Sequence, residues 1–399
     1  MKPVYLDNNA TTRVDPEVVA AMLPYLTEHF GNPSSAHGFA APSRHGMKMA
    51  RDHVAALVGA GFADEILFTS GGTESDNTAL ITGLAAHPGR DEVVVSAVEH
   101  PAVLALVKRL EAAGRLKAHV IPVLSCGCLD RERYRAALSP RVAVVSMMWA
   151  NNETGILFPV EALAEEAKAV GALFHTDAVQ AAGREPIDVK RTAIDLMSLS
   201  AHKLHGPKGV GALYVRRGVK LEPIVHGGRQ ERARRGGTEN VPGVVGFGKA
   251  AKIAGPRLRG DTARMRALRD RLESGLLGRI RNAMVLGASA ERLPNTSAIV
   301  CADAEAEAVA TMLGREGIAV STGAACSAGS HEPSHVLKAI GTPVAAEFGA
   351  VRFSLSRETD DDDIDRALTA MAEIVARLRD RAPCTAEGRS SRPREAAYA

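Results

Sequence analysis

Short β-branched runs alternate with helical patterns along the first half of the chain, and that alternation constrains the fold more than any other feature. "EILFTS" (65–70) precedes a helix starting at about Thr73, "EVVVSA" (92–97) precedes "HPAVLALVKRLEAAG", and "RVAVVSMMWA" (141–150) precedes "PVEALAEEAKAVG". "ALFHTDA" (172–178) and "LMSLSA" (196–201) follow. Strands that are apolar throughout are buried on both faces, so the pattern predicts an α/β fold with a mostly parallel sheet covered by helices on both sides. A ligand of such a sheet binds beyond the carboxyl ends of its strands.

Near Asn240 the rhythm changes to longer helices, with "DTARMRALRDRLESGLLGRI" the clearest, followed by the strand candidates "NTSAIVC", "GIAVST" and "AVRFSLS". A closing helix, "TDDDDIDRALTAMAEIVARLRDR", has Thr359 as its expected N-cap. At 399 residues the chain exceeds the size at which one core keeps growing, so a second, smaller α+β domain is expected.

Composition narrows the partners. The formal net charge is only +3, with basic and acidic residues interspersed, and aromatics are 4%, too few to offer stacking platforms to a single strand. We expect no nucleic-acid or membrane partner, but small molecules or proteins. Asp7 stands where a signal peptide would need an apolar run, and no stretch approaches the length of a membrane span, which predicts a cytoplasmic protein. Five cysteines at irregular spacing (Cys126, Cys128, Cys301, Cys326, Cys384) argue against a disulfide framework. Cys126 and Cys128 in "SCGCL" have no second Cys or His pair nearby and are expected in a loop.

Polar clusters fall at the strand ends. "TSGGTES" (69–75) is a strand, a glycine turn and a helix start, offering unpaired N–H groups at Gly72 and Thr73 either to a phosphate or simply to a tight turn. "FHTDAVQ" ends a strand with Asp177 and Gln180; the acid pairs with a ring nitrogen or caps the next helix. "LSAHKLHGPKGVG" (199–211) brings Ser200, His202 and Lys203 to the end of an apolar strand, where a desolvated amine forms a Schiff base, while an isolated lysine would be a surface residue. Lys208, inside the glycine turn, is expected to be exposed. A phosphate cradle, an acid for a ring nitrogen and a reactive lysine are together the requirements of pyridoxal phosphate.

With that combination in place, "YLDNNATT", "FGNPSS", "TSGGTESDN", "VEHPAV", "NNETG", "HTDAVQ", "SAHKLHGPKGVG", "RRGGTEN" and "VRFSLSR" resemble the class V aminotransferase family, specifically the cysteine desulfurases. "SMMWANNETG" and "GGRQERARRGGTEN" are similar to the nitrogen-fixation, NifS-like type. The resemblance implies the pyridoxal-phosphate transferase fold type I, with a large domain over 15–258 built on a seven-stranded sheet. A small domain over 1–14 and 259–383 carries the Cys326 loop, and 384–399 is a disordered tail. It further implies that Lys203 holds pyridoxal 5'-phosphate covalently, that Asp177 pairs with the pyridinium nitrogen and that Gln180 bonds the ring hydroxyl. His100 stacks on the ring and shuttles a proton. Gly72, Thr73, Ser200 and His202 bind the phosphate, with Thr238 added from the other subunit of a homodimer. Asn151, also near the cofactor, and Arg352 hold the carboxylate of the substrate L-cysteine, which suits a planar guanidinium fork.

"STGAACSAGS" (321–330) puts Cys326 among alanines, serines and glycines. By itself this describes a buried structural thiol or a nucleophile on a loop. In the family it resembles, Cys326 attacks the substrate sulfur, leaves alanine and carries a persulfide to an acceptor, here a NifU-like iron–sulfur scaffold serving nitrogenase. Cys326 is also a candidate transient ligand of a transferred cluster. A selenocysteine lyase, a housekeeping desulfurase, a non-catalytic partner-binding module and an acyl transferase pairing Cys326 with His335 are the alternatives.

Two motifs mislead. "HEPSH" (331–335) matches HExxH, but Pro333 costs about 3 kcal/mol inside a helix, so the helix is expected to begin at Pro333 and leave His331 outside. "GGRQERARRGG" lacks interleaved aromatics and is expected to be a dimer-interface loop.

Overall fold

The computed structural model describes residues 2–322, 334–343 and 348–381. Cys326, His331 and Cys384 lie outside the described residues.

The strands are β1 (Val4–Tyr5), β2 (Ile66–Thr69), β3 (Glu92–Ser96), β4 (Lys117–Ile121), β5 (Val142–Ser146), β6 (Leu173–Asp177), β7 (Leu196–Ser200), β8 (Gly211–Val215), β9 (Ala283–Val285), β10 (Thr296–Cys301), β11 (Ile318–Ala319), β12 (Ser321–Thr322) and β13 (Val351–Ser354). Seven of them form one sheet in the order β2-β8-β7-β6-β5-β3-β4. Only β8 runs against its neighbours, so the sheet is mostly parallel. β2, β3, β5, β7 and β8 are buried at every residue, as continuous apolar runs require.

A four-stranded sheet, β12-β13-β10-β9, shares one core with the helices Ala306–Arg315 and Asp361–Arg381. Its core of Ile299, Val309, Phe353, Met371 and Ile374 is separate from the core under the large sheet. The helix Val241–Arg279 joins the two. Its first half buries Val244 and Phe247 in one core, its second half buries Leu272 and Leu276 in the other, and Pro256 falls between them. An interior proline costs a helix about 3 kcal/mol; here both flanking halves are clamped by packing.

The amino-terminal segment crosses from one sheet to the other. β1 pairs in parallel with β11, and Asp7 bridges to Ser354 on the four-stranded side. A few residues later the Thr12 amide donates to the His202 carbonyl at 2.9 Å and the Asp15 amide to the His205 carbonyl at 3.0 Å.

Three expectations need correction. "GIAVST" is two strands in two sheets, because β11 pairs with β1 and β12 with β13. Asp360, not Thr359, caps the last helix: its carboxylate accepts from the Asp363 amide at 2.9 Å, while the Thr359 hydroxyl turns back to accept from the Ser356 amide at 3.0 Å. The helix after "HEPSH" runs His335–Ile340, with Ser334 as N-cap through the Leu337 amide, so it starts two residues beyond Pro333.

Candidate active site

The strand ends of the large sheet deliver their polar residues to one edge. β7 ends at Ser200, and a 3-10 turn, Ala201–Lys203, carries His202 and Lys203 beyond it. Lys203 Nζ donates to the Asn9 carbonyl at 2.5 Å and to the Ala10 carbonyl at 2.7 Å, so the amino-terminal strap aligns the amine. Lys208 is exposed.

Helix Gly72–Ala86 starts just past β2, and no side chain caps its first turn. Gly72 and Thr73 line a cavity of about 430 Å3 together with Ala10, Thr11, Ser200 and His202. Free N–H groups at the positive end of a helix dipole suit a phosphate. A Cβ on Gly211 would come within 2.7 Å of the Gly71 Cα and of the Leu199 carbonyl oxygen, so β8 reaches this turn only as glycine. Burial, with the charge of Lys203 next, lowers the His202 pKa to about 4; its Nδ1 lies 3.1 Å from the Thr11 hydroxyl.

Asp177 closes β6, and its Oδ1 accepts from the Val179 amide at 2.9 Å. Capping and ring-binding are thus compatible, one oxygen serving the turn. Behind it lies a buried polar cluster. His175 is held between Ser146 Oγ at 2.8 Å and Ser198 Oγ at 2.9 Å, with Asp76 Oδ1 3.6 Å from its Nε2. Burial lowers His175 to about 3, so the ring is neutral. Glu99 accepts from Ser96 Oγ at 2.5 Å and from the Met148 amide at 2.9 Å, and burial pushes it up to about 8. Burial and then the charge of Asp177 raise Asp76 well above the carboxylate range. Burial raises Asp177 as well, but its interaction with His100, the Val179 amide and the charge of Lys203 oppose it. Of three acids sharing one low-dielectric site, Asp177 is therefore the one suited to carry charge.

His100 caps helix Pro101–Ala112, its Nδ1 accepting from the Ala102 amide at 3.1 Å, which puts the proton of the neutral ring on Nε2. Burial lowers its pKa, Asp177 pulls the other way, and Lys203 and His335 add to the lowering. Gln180 donates to the same Asn9 carbonyl at 3.0 Å and accepts from Arg184 at 2.6 Å. Arg352 on β13 donates to Asp7 at 2.7 Å and to the Asn152 carbonyl at 2.9 Å, while its buried Nε has no hydrogen-bond partner among the described residues. Asn151 is held at both ends of its amide. Its Oδ1 accepts from the Glu153 and Thr154 amides, each at 3.0 Å, and its Nδ2 donates to the Val98 carbonyl at 3.2 Å, so it shapes the "NNETG" turn. Thr238 is exposed and is not among the residues lining the cavity of Gly72 and Thr73.

Beyond the Cys326 segment the chain is anchored to this edge. Ser334 Oγ donates to Glu153 at 2.7 Å, and His335 Nε2 donates to the Glu99 carbonyl at 2.9 Å. Among the described residues no group of three or more His, Cys, Asp or Glu could hold a metal ion. Asp7, Asn9, Asp76, Glu99 and Arg184 are not singled out for the site by any motif, although "YLDNNATT", "TSGGTESDN" and "VEHPAV" flag the stretches that hold four of them.

A lysine, an acid and an anion cradle on the strand ends of a mostly parallel sheet define a pyridoxal-phosphate enzyme of fold type I. The aminotransferase class-V sequence profile matches residues 4–367, and the chain belongs to that family, whose enzymes depend on pyridoxal phosphate. It is 56% identical over 383 residues to a cysteine desulfurase of Gluconacetobacter diazotrophicus, covering 96% of each chain. It is 51% identical to the cysteine desulfurase NifS of Azotobacter vinelandii, covering 96% of this chain and 95% of the other. A solved structure described as a NifS-like protein superposes with a TM-score of 0.87 at 37% identity, covering 94% of this chain and all of its own.

Proposed function

We propose that the protein is a cysteine desulfurase that converts L-cysteine to L-alanine and holds the removed sulfur as a persulfide on Cys326. What carries this proposal is the meeting of Lys203, Asp177 and the Gly72–Thr73 cradle on one sheet edge, in a chain more than half identical to cysteine desulfurases over nearly its whole length.

When bound, pyridoxal phosphate withdraws electrons from the α-carbon of the amino acid joined to it. The protein's residues do the rest. Gly72, Thr73, Ser200 and His202 hold the phosphate, joined by Thr238 of the partner subunit in a homodimer. Asp177 keeps a proton on the ring nitrogen, while burial raises both Asp76 and Glu99 behind it and so favours their uncharged forms. Gln180 binds the ring hydroxyl and His100 stacks on the ring. Arg352 and Asn151 hold the substrate carboxylate, and Asn151 also positions the turn beside it. Lys203 Nζ takes the α-proton. The Cys326 thiolate attacks the substrate sulfur: an S–S bond forms, the C–S bond breaks with its electron pair left on Cβ, and two protons complete alanine, one to Cβ that replaces the proton given up by the Cys326 thiol and one returned to Cα by Lys203.

The acceptor in this account is a NifU-like scaffold supplying nitrogenase clusters, to which Cys326 also serves as a transient ligand. Support comes from the 51% identity to the Azotobacter vinelandii protein. The enzyme acts in the cytoplasm as two domains, 15–258 and 1–14 with 259–383. No helix among the described residues is long and apolar enough to cross a membrane.

Borohydride tests the lysine. Reduced, digested holoenzyme should carry the cofactor on Lys203 and resist trypsin there. Label on Lys208, with cutting after Lys203 intact, would contradict the assignment.

A further inference from the structure

The hairpin between β4 and helix Arg131–Ala137 has the sequence Leu124-Ser125-Cys126-Gly127-Cys128 across its tip. Val123 and Leu129 close it as an antiparallel bridge; the Gly127 amide donates to the Leu124 carbonyl at 2.7 Å, and the Leu124 amide to the Cys128 carbonyl at 2.8 Å. This is a tight turn followed by a left-handed bulge residue, which Gly127 supplies at φ 82°. The turn is also fixed from outside. A Cβ on Gly127 would come within 2.2 Å of Ile156 Cδ1 and 3.7 Å of Ile340 Cδ1, so the tip is seated on the turn after Asn151 and on helix His335–Ile340.

Both cysteines are free and half-buried. Burial, and then contact with the Cys126 thiol, pushes the Cys128 thiol up to about 11, so the two sulfurs sense each other. Two residues of extended chain span about 7 Å at most. A tight turn shortens that into the ~4.4–6.8 Å between Cα atoms that a disulfide bridges. The desulfurase site described above uses neither thiol.

We propose that Cys126 and Cys128 form a redox-active pair that closes to an intrachain disulfide by exchange with a small-molecule disulfide. The Cys126 thiolate attacks one sulfur of the oxidant, forming a mixed disulfide and expelling one thiolate. The Cys128 thiolate then attacks the Cys126 sulfur and expels the second. Two electrons pass from the pair to the oxidant, and the two protons leave with the released thiols. The high Cys128 thiol makes the closing step slow at neutral pH and faster as pH rises toward 11. In a reducing compartment such a bond is transient, a mark of oxidising conditions placed beside the helix that follows the Cys326 segment.

The test uses the full-length holoenzyme with oxidised glutathione, an acid quench, alkylation with iodoacetamide under denaturing conditions, and mass spectrometry of tryptic peptides. Residues 118–131 form one peptide that contains Cys126 and Cys128 and no other cysteine. We expect both alkylation sites to be lost in step and the peptide to become two hydrogens lighter, reversibly with dithiothreitol, while Cys301 stays fully alkylated. Cys128→Ser should stop at a glutathione adduct on Cys126. Full alkylation of the wild-type peptide, or a glutathione adduct on it without a bridge, would overturn the proposal.

Discussion

Lys203 Nζ lies 2.5 Å from the carbonyl oxygen of Asn9, a residue 194 positions earlier. The Asn9 side chain is what fixes that carbonyl. Its Nδ2 donates to Thr296 Oγ1 at 2.9 Å and to the Asn152 carbonyl at 3.2 Å, and its Oδ1 accepts from Asn295 Nδ2 at 3.1 Å. The strap that aligns the lysine is thereby pinned to the four-stranded sheet. Asn9→Ala removes three bonds and strands buried partners, each worth about 1–3 kcal/mol. We expect a stability loss of at least about 3 kcal/mol by denaturant melt, with weaker cofactor retention read from the visible spectrum. Unchanged retention in a destabilised variant would separate the strap from the site.

The loop before helix Val241–Arg279 holds three successive non-glycine residues in left-handed conformation, Glu231, Arg232 and Ala233, at φ 46°, 61° and 61°. Left-handed backbone costs about 1–2 kcal/mol per residue. The offset comes from the buried Glu231 carboxylate, which takes both Nη atoms of Arg51, at 2.5 and 2.8 Å, and the Phe68 amide at 3.2 Å. Breaking such a pair from one side typically costs about 3–5 kcal/mol. Glu231→Ala should lose about 3 kcal/mol. The same loop carries Arg235, paired with Glu74 at 2.9 Å beside the phosphate cradle, so cofactor affinity should fall too. A variant within experimental error of wild type in a denaturant melt would refute this.

Glu99 gives the protein a specific pH dependence. In the fold it holds its proton up to about 8, while in the unfolded chain it titrates near 4.5. Folding therefore takes up a proton between those values, and stability falls as pH rises through that window, by at most about 1.4 kcal/mol per unit for one group. Glu153, raised to about 7 by burial, acts in the same direction. His175, His202 and His205, lowered to about 3, 4 and 4 chiefly by burial, act oppositely and cost stability as pH drops below about 6.5. Glu99→Gln keeps the acceptor for Ser96 and Met148 and should flatten the fall between pH 5.5 and 8 without removing it. Denaturant midpoints of both proteins at the two pH values decide; parallel slopes would mean that Glu99 is ionised in the fold.

What was legible in the sequence follows from where each residue lies. β2, β3, β5, β6 and β7 are readable because nearly every residue in them is buried. β4, at the sheet edge, buries only Ile121 fully and carries Lys117 and His119, so it offers no apolar run. β8 follows a glycine turn that masks its onset. Lys203, Asp177 and Gly72 are legible because strand ends announce them. Asn9 and Asp7 are not, since their work is done across 194 and 345 residues of sequence. The Asn151 amide is likewise illegible in its contacts, since its Oδ1 accepts from the Glu153 and Thr154 amides of its own turn while its Nδ2 donates to the Val98 carbonyl 53 residues earlier.

The most direct measurement is alanine released from L-cysteine, with a reductant present, by the wild-type protein, Lys203→Ala and Cys326→Ser, all loaded with pyridoxal phosphate. The account predicts steady alanine from the wild type and essentially none from either variant. Alanine formed equally well by all three would contradict it, because neither the amine that takes the α-proton nor the thiol that takes the sulfur would then be needed.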